Sequence, residues 1–190
     1  MQNRYQKLNT GFTLLEMIVA IFIMSVAFTA IITVMSASIY SSKYARDEIT
    51  ENYLAQEVID YVRNDRDTTA FQGGDWALFL MHYGMMPGVP SGCFTSTGCT
   101  VDVFDSNFST SVVACLPSPA KCPTLRYDEN ATNGSYYNYA SGGVATNFRR
   151  TVYMGNSNSG DELDILVKIE WQNGKLPRSQ VLKSSLLKWQ

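Results

Sequence analysis

The sequence has little of what an enzyme needs for acid–base or nucleophilic chemistry. A single histidine, His82, occurs among its 190 residues. No Ser/His/Asp set, glycine-rich phosphate loop, histidine-containing metal cluster or pair of catalytic carboxylates is visible. We therefore predict that the protein is not an enzyme and uses no cofactor. His82 has no cysteine or carboxylate beside it in the sequence, and we interpret it as a structural residue.

Positive charge is not in surplus either. The 15 Lys and Arg residues oppose 17 Asp and Glu, and the formal net charge is −2. This balance gives no reason to expect nucleic acid as a partner. The doublet Arg149-Arg150 is interpreted as part of a solvated strand edge. We assign no metal site and leave calcium binding open, because the candidate acidic ligands do not match an EF-hand loop: Asp102, Asp105, Asp128 and Glu129.

Charge is nearly absent from one long stretch near the N-terminus. The 26 residues from Phe12 to Ala37 contain one ionisable side chain, that of Glu16. At about 1.5 Å per residue a helix of this length spans roughly 39 Å, enough to cross a bilayer. Arg4 and Lys7 precede the stretch and no acid occurs in residues 1 to 10. The positive-inside rule therefore predicts a single-pass protein with a cytoplasmic N-terminus.

An acid inside such a helix is a candidate functional residue. A charged side chain at the centre of a membrane helix costs on the order of 2.5 to 3.5 kcal/mol on insertion scales, and less near its end. The alternative is that Glu16 only reaches the headgroups. Four small polar residues also share a helical strip, and either mediate helix–helix contacts or bond to their own helix: Ser25, Thr29, Thr33 and Ser36.

The run Gly11-Phe12-Thr13-Leu14-Leu15-Glu16 resembles the N-terminal signal of type IV pilins and type II secretion pseudopilins. The resemblance implies that prepilin peptidase removes residues 1–11 as a leader, cutting between Gly11 and Phe12, and methylates the new amine of Phe12. It also implies that Glu16 is needed for assembly. The implied partners are other pilin or pseudopilin subunits, the inner-membrane assembly platform and membrane lipid. The implied locations are the bacterial inner membrane for the precursor and an extracytoplasmic filament for the mature protein.

The helix is predicted to continue beyond the membrane stretch. Residues 38–66 contain no glycine or proline, and their apolar side chains recur at spacings of three to five. We expect one helix of about 50 residues that ends near Arg66, with residues 12–37 as the membrane or fibre-core half and residues 38–66 as an amphipathic half. Residues 67–190 would form a loop-rich head.

All four cysteines lie in the predicted head, at Cys93, Cys99, Cys115 and Cys122. An even number in an exported domain predicts two disulfides, for which three pairings are formally possible. We favour Cys93 with Cys99 and Cys115 with Cys122, because each pair closes a short loop rich in Gly, Pro, Ser and Thr. A zinc site is disfavoured, since spacings of five and six residues are too wide for a zinc knuckle.

The C-terminal part has the alternation of strands. Apolar residues alternate with polar ones from Leu163 to Trp171, and an Asn173-Gly174 turn leads into a partner strand at 178–187. A third strand is predicted at 148–154, and a short helix or a buried turn at 76–81. The predicted fold class is α+β, with the long helix packed on an antiparallel sheet, which resembles the ladle shape of pilins.

Short strands are also predicted at 100–104 and 111–115. The loops of residues 84–147 are candidates for adhesion or partner specificity. The segment Leu54–Asp67 and the C-terminal residues Trp171, Leu186, Leu187 and Trp189 resemble minor pilins. The major-pilin pattern often places a disulfide close to the C-terminus. This sequence departs from that pattern, because no cysteine follows Cys122.

These features predict a structural subunit, minor and pilin-like, of a type IV pilus-type filament. A type II secretion or competence pseudopilin is the alternative with the same assembly chemistry. A membrane-anchored binding domain that does not polymerise is the alternative from a different class.

Overall fold

A computed structural model describes residues 11–86, 89–105, 108–117, 120–129, 136–139, 142–156, 160–174 and 176–188. The predicted leader up to position 10 and Trp189 lie outside these ranges. The chain divides into two compact units, residues 1–46 and residues 47–190, and each is described by itself.

The elements follow one another from a long helix to three long strands. The helices are α1 (Leu14–Phe71), α2 (Trp76–His82) and α3 (Phe108–Ser111), with a 3-10 turn at Gly92–Phe94. The strands are β1 (Met85–Met86), β2 (Val89–Pro90), β3 (Cys99–Val101), β4 (Val112–Ala114), β5 (Leu116–Pro117), β6 (Ala120–Lys121), β7 (Thr124–Asp128), β8 (Tyr136–Asn138), β9 (Val144–Asn156), β10 (Glu162–Asn173) and β11 (Leu176–Leu187).

Helix α1 is one continuous helix of 58 residues. Its sequence contains no glycine or proline, so no residue interrupts its hydrogen bonding. It continues past Arg66, the predicted end, to Phe71, because the polar residues after Arg66 do not break a helix. Gly73 follows with φ 78°, a left-handed conformation that glycine adopts without strain and that ends helices.

The second unit, residues 47–190, includes the last part of α1 and is called the head from here on. It contains an antiparallel sheet, which confirms the predicted fold class. The strand order is β11-β10-β9-β3-β4, and β7 pairs with both β8 and β9. The three predicted C-terminal strands are present and longer than expected. Asn173 pairs with Leu176 across the last turn, where Gly174 has φ 63°. Helix α2 occupies the predicted short helical segment, and Asp75 caps it by accepting a 2.7 Å hydrogen bond from the Leu78 amide.

The core forms where α1 packs on this sheet. Every second residue of β10 is buried, from Leu163 to Trp171. On the helix the buried apolar residues are confined to the segment from Leu54 to Val62. The earlier apolar positions of the predicted amphipathic half are exposed in the chain, Ile39 and Ile49 among them. Burial of each core side chain contributes roughly 1.5 to 3 kcal/mol.

Two disulfides close short loops of the head: one joins the 3-10 turn to β3, and the other brackets the hairpin of β5 and β6. Cys93 pairs with Cys99 and Cys115 with Cys122, the pairing favoured from the short loops. All four cysteines are buried. Gly98, beside Cys99, has φ 71°, and a Cβ there would lie 2.8 Å from the Val152 carbonyl oxygen. Only glycine therefore allows this loop to approach β9 so closely.

The interpretation of Arg149-Arg150 as a solvated edge is wrong for Arg150, which is 0% exposed. Its guanidinium Nη1 donates to Glu57 Oε2 at 2.6 Å and to the Leu54 carbonyl at 3.0 Å. Its Nη2 donates to the Val101 carbonyl at 2.8 Å. Tyr139 places its ring 5.8 Å below the guanidinium carbon, within the range of cation–π attraction. One cation thus joins α1, β3 and β9.

A second charged residue of the core is Glu51. Its side chain is 1% exposed, and within the described chain Oε2 is buried with no hydrogen-bond partner. Burial raises the pKa of the Glu51 carboxyl, and the nearby charge of Glu48 raises it further. Asp47, one turn earlier, also has a buried carboxylate oxygen without a partner among the described residues. Ionisation of Glu51 therefore opposes folding.

We predict that Arg150→Met lowers the free energy of unfolding of the head by about 3 kcal/mol, because Glu57 and two carbonyls lose their donor. Urea unfolding of the full chain in detergent micelles, followed by tryptophan fluorescence, measures this. Arg149→Met is the matched control. It removes one 2.6 Å hydrogen bond to the Cys122 carbonyl, and we expect a loss of about 1 kcal/mol. Equal losses in the two variants would contradict the central role of Arg150.

We predict that Glu51→Gln stabilises the head at neutral pH. The Glu51 carboxyl has a higher pKa in the folded than in the unfolded protein. Its ionisation therefore lowers the free energy of unfolding as the pH rises from the unfolded pKa, 4.5, through the folded pKa. The gain from Glu51→Gln should therefore be full above that window and vanish at about pH 3.5, where both states are protonated. Urea midpoints across this range measure it, with Asp60→Asn, an exposed acid of the same helix, as control. A gain that persists at low pH would show that ionisation is not its cause.

Candidate functional site

The start of α1 is fixed by a local cap. Thr13 precedes the first helical residue, and its Oγ1 accepts a 3.3 Å hydrogen bond from the backbone amide of Glu16. The Thr13 carbonyl accepts the first helical bond, from Met17 at 3.2 Å. Thr13 therefore occupies the N-cap position and Glu16 the third helical position, with the hydroxyl-to-amide bond typical of an N-cap threonine. This role was not predicted from the sequence, although the Thr-x-x-Glu spacing signals it.

The Gly11–Phe12 bond lies just outside the helix. Gly11, Phe12 and Thr13 have no regular secondary structure and are exposed, Phe12 by 75% of its surface. A Cβ at Gly11 would meet nothing within 4 Å. The bond is therefore open to an external reagent or enzyme, and no part of the described fold requires glycine at this position.

The apolar part of α1 buries none of its side chains within its own chain. An 18-residue window of this helix has a mean hydropathy of 2.7 and is 0% buried. Among the described residues, α1 is the one helix long and apolar enough to cross a membrane. Exposed residues surround the whole helix here, including Ile18, Phe22, Met24 and Ile32. A helix that is apolar on all sides is unstable in water, so lipid or other apolar helices must cover it.

The hydroxyl strip of this segment bonds to its own helix. Each of the four hydroxyls donates to a carbonyl three or four residues earlier at 2.8 or 2.9 Å: Ser25, Thr29, Thr33 and Ser36. These bonds satisfy the donors in an apolar medium and leave the strip small. The self-bonding that the sequence left open is therefore present, and contact of the strip with a neighbouring helix stays a prediction.

In the head, the single histidine has a carboxylate partner that the sequence order did not indicate. His82 Nδ1 lies 3.3 Å from Asp65 Oδ2, across the junction of α2 and α1. The calcium candidates do not converge. Asp102 accepts the amides of Phe104 and Tyr139. In the described parts of the chain, no three His, Cys, Asp or Glu residues lie close enough to hold a metal ion.

In the described head, a groove of about 800 Å³ lies beside α1. Tyr53, Glu57 and Asp60 of α1 form one wall. Aromatic residues from distant parts of the chain form the other wall: Phe104, Tyr127, Tyr136 and Tyr137. Phe104 stacks on Tyr136 with ring centroids 4.2 Å apart. We call this surface the aromatic groove. No sequence spacing predicts it, because its residues come from α1, the loop after β3, β7 and β8, which are far apart in the sequence.

Comparison with known protein families finds one relationship. Residues 6–39 match the model of the prokaryotic N-terminal methylation motif. The match covers the capped helix start, the exposed Gly11–Phe12 bond and the uncovered apolar helix. A search of curated proteins and of solved structures finds no match. The chain therefore carries the prokaryotic N-terminal methylation motif at the start of a long helix on which an antiparallel sheet packs, and in these features it resembles type IV pilins and pseudopilins.

Proposed function

We propose that the protein is a structural subunit, minor and pilin-like, of a type IV pilus-type filament. The observation that carries this proposal is the apolar half of α1, which bears the methylation motif and has no cover within its own chain. In the precursor, lipid covers this segment; in the filament, the same segments of neighbouring subunits do. The contacts are head-to-tail, so they repeat into an open fibre and do not close into a ring.

The proposed first step is the removal of the leader. Prepilin peptidase hydrolyses the Gly11–Phe12 bond, which lies outside the helix, and then methylates the amine of Phe12. The precursor is in the inner membrane with its N-terminus in the cytoplasm, and the assembly platform moves the mature subunit into an extracytoplasmic fibre. The exposed position of the bond, two residues before α1, supports this order of events.

The proposed second step uses Glu16 to set the register between subunits. The new amine of Phe12 on one subunit pairs with Glu16 on its neighbour inside the apolar fibre core. Either charge alone in that core would be costly, by about 3 to 5 kcal/mol when a buried pair is broken. A subunit displaced along the fibre leaves both charges unpaired, so the correct register is strongly preferred.

We predict that Gly11→Ala stops processing without affecting the fold, because a Cβ at this position has open space around it. Intact mass of the protein from native membranes should show the full-length chain, whereas the parent protein should start at Phe12 with one added methyl. Gly155→Ala, where a Cβ also has open space, is the matched control and should be processed. Normal maturation of Gly11→Ala would remove the peptidase step.

We predict that Glu16→Gln is cleaved normally but enters fibres at least about tenfold less efficiently, since 1.4 kcal/mol already corresponds to tenfold. The measurement is the amount of mature chain in sheared surface or periplasmic fibres relative to the membrane fraction. Glu48→Gln, an exposed acid of the same helix outside the motif, should enter fibres like the parent. Unchanged entry of Glu16→Gln would count against the pairing with Phe12.

A further inference from the structure

Another concave surface of the described head is a cavity of about 420 Å³, formed by residues of β3, the loop after it, α3, β4 and β8. Its wall contains the carboxylates of Asp102 and Asp105 and, among the described residues, no Lys or Arg. The stacked rings of Phe104 and Tyr136 line both this cavity and the aromatic groove. We call this surface the polar cavity. Its volume is within the range of about 300 to 1,000 Å³ that small-molecule sites have.

Asp102 is held in one orientation by neutral donors. Its Oδ1 accepts the backbone amide of Phe104 and its Oδ2 that of Tyr139, each at 3.1 Å. Among the described residues Asp102 forms no ion pair. A carboxylate has about four acceptor positions, so two amide bonds fix the side chain and leave positions for a ligand. Asp105, which accepts the Thr110 hydroxyl, adds a second carboxylate to the same wall.

The wall also contains a buried acceptor without a partner. Asn138 on β8 lines the cavity and is 3% exposed, and its Oδ1 has no hydrogen-bond partner among the described residues. Buried polar groups in folded proteins are nearly always hydrogen-bonded, and an unpaired one lowers stability. The last torsion of an Asn side chain turns readily, so this amide can present Oδ1 to a ligand. An unpaired acceptor in the wall of a cavity indicates a ligand that donates hydrogen bonds.

The chemistry of the wall favours a neutral polyhydroxyl ligand over an ion. The described wall offers no base to an anion. Two amides already stabilise the charged form of Asp102, so this carboxylate does not need a cation to stay ionised. In the described chain no third Asp, Glu, His or Cys joins the two acids in a metal site. Ligand hydroxyls, in contrast, make short bonds to carboxylates that are roughly twice as strong as bonds between neutral groups.

We propose that the polar cavity binds a single neutral sugar ring, as at the end of a glycan. Sugar hydroxyls donate to the carboxylates of Asp102 and Asp105 and to the amide oxygen of Asn138. The apolar face of the ring packs on Phe104, which is 50% exposed. All of these residues are in the head, so the inference goes beyond the proposed filament function and does not depend on it.

Saturation-transfer NMR on the full chain tests this binding. The chain is held in micelles of a polyoxyethylene detergent, which contains no sugar. The probes are methyl α-D-glucoside, methyl α-D-mannoside, methyl β-D-galactoside and N-acetyl-D-glucosamine. At least one of them should bind with a Kd of about 1 mM, an affinity in keeping with its small size. Tetramethylammonium chloride is the cation control and should bind more weakly, and added calcium chloride should not displace the sugar.

The variant Asn138→Leu separates binding from folding. It should raise the Kd of the bound sugar at least about tenfold, because leucine offers no acceptor. It should not lower the urea midpoint of unfolding, because Oδ1 has no partner to lose in the described chain. A second variant, Phe104→Leu, should raise the Kd about fivefold by removing the ring. Tyr53→Leu is the matched control, since Tyr53 lines the aromatic groove but not the polar cavity. Its Kd should equal that of the parent.

Four results overturn the proposal: no binding of any of the four sugars, tighter binding of tetramethylammonium, displacement of the sugar by calcium, or an unchanged Kd in Asn138→Leu and Phe104→Leu. Equal loss of binding in Tyr53→Leu overturns it as well, because the ligand then occupies the aromatic groove. Recovery of the chain in fibres is measured separately. A chain that enters fibres and binds no sugar removes the sugar site alone, whereas a chain that binds sugar and enters no fibre removes the filament function alone.

Discussion

The head depends on one buried cation. The Arg150 guanidinium reaches α1 through Glu57 and the Leu54 carbonyl, and β3 through the Val101 carbonyl. Taking a guanidinium out of water costs several kcal/mol, and the ion pair and carbonyl bonds offset this cost only in one geometry. A core of Leu, Ile and Val alone would tolerate small sliding of the helix along the sheet. With Arg150 in place, any sliding breaks charged hydrogen bonds, so the position of α1 on the sheet is fixed.

That fixed position determines the aromatic groove. Tyr53 and Asp60 are on the same helix segment as Leu54 and Glu57, which Arg150 contacts. The opposite wall depends on the pairing of Tyr127 with Tyr137 across β7 and β8. The width of the groove is therefore determined by interactions within the core, and a loss of Arg150 would alter the groove even though Arg150 does not line it.

Sequence patterns predicted the features that depend on local periodicity. The alternation from Leu163 to Trp171 predicted strand β10 and its buried face, and the run after Phe12, uncharged apart from Glu16, predicted the apolar helix. The role of Arg150 was not predicted, because Arg149 and Arg150 were interpreted from their charge alone. Their positions in the alternation of the strand were not considered. Arg150 has the same parity as Phe148, Val152 and Met154, all buried in β9, so the strand period alone would have placed it in the core. The groove was not predictable, because residues from α1, the loop after β3, β7 and β8 meet there only through long-range pairing.

The N-terminal motif shows how one residue serves both helix formation and the proposed assembly. Glu16 is in the first turn of α1, where the helix dipole stabilises a negative charge and would destabilise the amine that cleavage creates at Phe12. In the proposed mature chain, the positive end of the helix dipole repels the amine of Phe12 and attracts the carboxylate of Glu16. Pairing the amine with an acid relieves this conflict, and the apolar surroundings strengthen the attraction between the two charges. Thr13 already bonds the amide of Glu16 as the N-cap residue, and this bond does not involve the Glu16 carboxylate, which the proposed pairing uses.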